Sequence, residues 1–112
     1  MLHQFSLNQQ QQADITKCIE AVKQYRSALD KAYLNGEVNF IIASNCNLFF
    51  TLDCLEEILA GKVWDLSIGN LDGECRLLDD MLNMHPEEFK AVEDELKGIH
   101  DAFKSFKMLK IA

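Results

Sequence analysis

The sequence predicts an all-α fold, a compact bundle of about four helices whose first and last members are long and near-heptad. Two observations carry that expectation. Apolar residues recur at spacings of three and four over most of the chain, and the segments between these runs are marked by Gly, Asn and a single Pro. The length of 112 residues and a hydrophobic share of 48% suit one domain spanning the whole chain, 1–112, and exclude a disordered or collagen-like polymer.

The first helix rests on Ile15, Cys18, Val22, Tyr25, Leu29 and Ala32, with Ile19 and Tyr33 widening the stripe. Ser6 followed by Gln9 fits a capping box and places its start near Leu7, with Asp14 as a later start. Asn35-Gly36 ends it, because glycine enters the left-handed region without a Cβ clash. The next segment is ambiguous. Val38–Ala43 is apolar enough for a short strand, yet a strand there has no evident partner and would leave its backbone groups unpaired. One helix from Val38 to Ala60 is therefore expected, with Leu48, Leu52, Leu55, Leu59, Phe49 and Ile58 as its apolar face and Gly61 after its end.

Residues Lys62–Gly73 read as a connector holding Trp64. A third helix should present Leu71, Cys75, Leu78 and Leu82, with Met81 beside them, and stop at His85-Pro86. The last helix has the clearest pattern: Phe89, Val92, Leu96, Ile99, Phe103 and Phe106. Glu87 and Glu88 are expected in its first turn and Lys104, Lys107 and Lys110 near its end, each sign opposing the helix dipole. Gly98 in its middle would allow either a close helix crossing or a bend.

The first residues carry no basic stretch followed by an apolar one, so no secretory signal is expected. The longest uncharged run, Val38–Leu52, is fifteen residues broken by three asparagines, too short and polar to cross a bilayer. Cytoplasmic location follows as the expectation, with Cys18, Cys46, Cys54 and Cys75 as reduced thiols. Their separations of 28, 8 and 21 positions match no zinc-ligand spacing, so no metal or other cofactor is expected.

Catalysis finds little support. Cys46 between Asn45 and Asn47 is the one thiol in a polar setting, and these three residues could line a small-ligand pocket, but no base is tied to the thiol. The carboxylate groups Glu56-Glu57, Asp79-Asp80, Glu87-Glu88 and Glu93-Asp94-Glu95 fall on polar helix sides, where solvation is the ordinary outcome. No glycine-rich phosphate loop is present. An enzyme is not expected.

Charge is the informative feature. The net charge is −7, and the 24 residues from Asp72 to Glu95 account for all of it, with nine acids against Arg76 and Lys90. Such a balance opposes direct nucleic-acid binding, which depends on Lys and Arg displacing counterions, and favours encounter with a basic protein. Asp79, Asp80, Glu87, Glu88, Glu93, Asp94 and Glu95 are the expected protein-binding residues, with Trp64 as a candidate interface anchor. The sequence thus points to a stoichiometric inhibitor of a basic or nucleic-acid-handling protein, comparable in size and charge to immunity or phage anti-defence proteins. The alternative is a homo-oligomeric helical adaptor or chaperone, a homodimer for example, whose near-heptad stripes pair between subunits.

Overall fold

A computed structural model of the chain describes residues 2–4, 6–45, 48, 50–64, 73–74, 76–81, 83 and 86–106. Helices dominate it. The first, α1, spans Gln9–Leu34. Its capping box is built two residues later than Ser6–Gln9. The Asn8 side chain accepts from the Gln11 backbone N–H at 2.8 Å, and the Gln11 side chain accepts from the Asn8 N–H at 3.0 Å. Asn is at least as good an N-cap as Ser, so the better-placed pair sets the start. At the other end Gly36 adopts φ +75°, the Glu37 N–H returns to Ala32 O at 2.8 Å and the Gly36 N–H to Tyr33 O at 3.1 Å. These paired bonds make a Schellman motif, and the expected stop at Asn35-Gly36 holds.

The segment after it is helical, as expected, but it is not one helix. Asn39 starts a new one, α2 (Phe40–Asn45), by accepting the Ile42 N–H on its side chain at 2.8 Å. A separate helix, α3, covers Thr51–Leu59. Between them Leu48 sits at φ +55°, which no continuous helix permits. That conformation costs a non-glycine residue roughly 1–2 kcal/mol. Leu48 is almost wholly buried, and burial of a leucine contributes about 1.5–3 kcal/mol, enough to offset it. The buried face of α3 is Thr51, Cys54, Leu55 and Ile58, so it is rotated from the expected leucine face and Leu59 turns partly outward.

Gly61 at φ +78° closes α3 and leads into a strand the sequence did not reveal. Residues Lys62–Trp64 (β2) pair antiparallel with Leu2–Gln4 (β1), in register Leu2 to Trp64 and Gln4 to Lys62. Three-residue strands are too short to show a period of two, which is why the connector reading missed them. Further helical backbone, α4, is described at 73–74, 76–81 and 83. There Leu78 and Met81 are buried, while Leu71, Cys75, Leu82 and His85 lie outside the described residues.

The final helix also differs from expectation. Residues 86–89 form turns, Lys90–Val92 a 3₁₀ turn, and α5 runs from Glu93 to Phe106. Glu87 and Glu88 therefore precede the helix, and Glu93, Asp94 and Glu95 occupy its first turn. A 3₁₀ turn aligns residues three apart, which directs both Phe89 and Val92 inward.

The long helix α1 organises the core, packing on α5, α3, α2 and the 3₁₀ turn. Its stripe Ile15, Cys18, Ile19, Val22, Tyr25, Leu29 and Ala32 is buried as expected, against Leu96, Ile99, Ala102 and Phe103 of α5. The two helices run antiparallel. The Cys18 thiol donates to Ala102 O at 3.2 Å, while Ala21 and Gln24 flank Gly98, Asp94 and Glu95. Among the described residues no helix is long and apolar enough to cross a membrane.

Candidate protein-binding surface

The acidic residues singled out by charge are placed by α4, the turn at 86–89 and the first turn of α5, and they do not share one face. Successive residues on an α-helix are rotated by about 100°, so Glu93, Asp94 and Glu95 fan across more than half the circumference of α5. Leu96 and Ile99 point to the core, which leaves Glu93 and Lys97 on the side of α4. Glu95 and Gly98 flank α1, with Asp94 between the two sides and exposed.

Glu93 and Asp79 are among the acids engaged within the protomer. The Lys97 ammonium donates to Glu93 Oε1 at 3.0 Å, and this hydrogen bond, then the carboxylate charge, holds the lysine above its ordinary titration range. Both groups are well exposed, so solvent screens the pair. Asp79 Oδ1 lies 3.3 Å from His100 Nε2, a contact that ties α4 to α5 and becomes an ion pair when the imidazole is protonated. Asp80, Glu87 and Glu88 are solvent-exposed. Trp64 lies in β2 opposite Leu2, and its indole lies outside the described residues.

Three features were not expected. Near the start of α4, partial burial pushes the Glu74 carboxyl above the usual carboxylate range, against a smaller opposing pull from the Thr51 hydroxyl. The two groups do not close into a hydrogen bond of good geometry: Thr51 Oγ1 and Glu74 Oε2 are both shielded from solvent without a partner. The sequence offered no signal for this pairing, because Thr51 lies on α3, more than twenty positions away. Second, a cavity of about 220 Å³ opens beside Met81, Phe89 and Leu96, with Asn83, Pro86, Glu93 and Lys97 also lining it. Its floor is apolar and one wall carries a neutralised charge pair.

The third feature is apolar. Leu34 is 80% exposed, Ile41 69%, Phe40 65% and Tyr33 41%, all at the corner where α1 gives way to α2. The Tyr33 and Phe40 rings pack on each other with centroids 5.9 Å apart and planes tilted by 55°. The sequence placed Tyr33 on the buried stripe. The stop at Gly36 and the restart at Asn39 decide otherwise, since they set the opposite face of α2 (Ile42 and Ala43) against the core.

The remaining chemistry is sparse. Cys18 and Cys54 are buried thiols, while Cys46, Asn47 and Cys75 lie outside the described residues. Among the described residues no three His, Cys, Asp or Glu side chains converge as a metal site. The chain matches no known family model, and no curated protein or solved structure is significantly similar to it.

Proposed function

We propose that the chain is a small acidic protein-binding module acting in the cytoplasm as a stoichiometric antagonist of a basic protein, in the manner of an immunity or anti-defence protein. One observation carries this reading. The whole net charge of −7 falls in the segment 72–95, and within it Asp80, Glu87 and Asp94 face solvent from α4, the connecting turn and α5. Carboxylates spread over three elements suit a curved partner surface better than a flat one. Complementary charge of this kind chiefly raises the encounter rate and disfavours wrong partners, while each exposed pair adds little affinity.

Capture from a cell lysate at low and at high salt tests the reading. A basic partner retained at low salt and released at high salt is the expected result. Association rates then supply the residue-level test. Asp79 touches His100 and Glu93 is bound to Lys97, so Asp80→Lys, Glu87→Lys and Asp94→Asn are the informative changes. Together they should slow association about tenfold or more at low salt, the scale of lost electrostatic steering. Equal rates for two equally folded proteins would remove the acidic surface from recognition.

A further inference from the structure

We infer that the exposed apolar corner formed by Tyr33, Leu34, Phe40 and Ile41 is a self-association surface, against which the same corner of a second copy packs about a two-fold axis. The near-heptad stripes of α1 and α5, which were the natural candidates for pairing between subunits, are consumed inside the protomer by Val22, Tyr25, Leu96, Ile99 and their neighbours. Among the described residues, exposed large apolar side chains cluster at the corner, where four occur within nine residues, while Phe50 and Leu59 are exposed singly at the two ends of α3.

Area favours this assignment. From their exposures the four side chains present roughly 500 Å² to solvent, in the upper part of the about 300–600 Å² that the largest patch of an ordinary monomer reaches. That is more than half of the about 800 Å² per partner that a stable interface of standard size buries. Composition favours it too. The charged residues flanking the corner in sequence are Asp30, Lys31 and Glu37, nearly neutral together, so nothing local selects a basic protein in preference to a copy of itself. Two aromatic and two aliphatic side chains can pack ring against alkyl group across a two-fold axis, as an isologous contact requires. Homodimer interfaces are also the more apolar kind.

Sedimentation equilibrium of the unmodified protein tests the inference without reference to any antagonist role. At about 100 μM the weight-average mass should approach twice the 12.8 kDa of the chain and fall on dilution, the mass-action signature of a reversible dimer. Ile41→Asp and, separately, Leu34→Asp should each weaken the dimer about 30-fold or more, since each buries an uncompensated carboxylate in the interface. Both positions are exposed in the protomer, so circular dichroism and the unfolding midpoint should stay near the wild type. A wild-type protein that remains monomeric at that concentration overturns the inference. So does a dimer that both substitutions leave intact, because it would use another face. Neither result bears on capture of a basic partner, which is read separately through the salt-dependent pull-down.

Discussion

Replacing glycine by alanine at two positions of this chain should give effects of opposite sign, for reasons that only the structure separates. Gly98 lies inside α5 and is exposed, and a Cβ added there would meet nothing within 4 Å. Gly36 is equally open, with nothing within 4 Å of its added Cβ, but it sits at φ +75° in the Schellman turn that ends α1. At Gly98 the substitution removes backbone freedom from the unfolded chain and meets no steric opposition. The gain should be about 0.8–1.0 kcal/mol, the helix-propensity difference between the two residues. For a chain of this length that corresponds to a rise in melting temperature of about 4 °C. At Gly36 the same methyl group is strained by the left-handed backbone, and a loss of roughly 1 kcal/mol or somewhat more is expected. Urea unfolding followed by circular dichroism, with m-values compared to confirm that the denatured state is unchanged, measures both. If Gly98→Ala destabilises the protein by more than about 0.5 kcal/mol, the reasoning fails. The groove between α1 and α5 would then be closed in solution, and Gly98 would serve the close crossing that its sequence position also allowed.

Phe103→Ala should cost about 3–5 kcal/mol, since the ring is almost fully buried against α1, and a loss below about 1 kcal/mol would show that α5 packs by another face. Glu74→Gln should stabilise the protein at neutral pH and leave it nearly unchanged at acid pH. Burial raises the folded-state pKa of Glu74, so its favourable contribution exists below the ordinary glutamate range and is lost as pH rises through the raised value. A difference between variant and wild type that is flat from about pH 4 to pH 7 would contradict this assignment. The thiols of Cys18 and Cys54 should resist a thiol reagent in the native protein and react after unfolding, when four free thiols per chain are expected. Fewer than four would reveal a disulfide.

The helical class was legible because it follows from local chemistry repeated along the chain. The stripe from Ile15 to Ala32 and the one from Phe89 to Phe103 are periodic over several turns, and both are buried. Asn35-Gly36 specifies its stop through one residue's freedom to adopt positive φ, a property that needs no tertiary partner. The acidic bias of residues 72–95 was equally plain, because charge is additive along a sequence and does not depend on the fold.

What the sequence left undecided were choices between local options of similar energy. Ser6 and Asp14 each suit the start of α1, and Val38–Ala43 suits a strand or one helix continuing to Ala60, whereas the structure caps α1 at Asn8, breaks the segment at Leu48 and begins α5 at Glu93. Such alternatives differ by about a kilocalorie per mole, less than the burial of one side chain, so packing decides them. Burial of Leu48 at positive φ is the clearest instance, since a local penalty is accepted for a core contact. The β1–β2 ribbon joins segments almost sixty residues apart and has no local signature. The candidate surfaces belong to the same class. That Glu93 is neutralised by Lys97, that Asp79 meets His100, and that Tyr33 and Phe40 stack outward at the corner of α1 and α2 all depend on which face each helix turns to its neighbours. Composition and periodicity establish how much apolar and charged surface the chain carries. Only tertiary packing decides which of it remains in contact with water, because burial is a property of pairs of elements and not of one element alone.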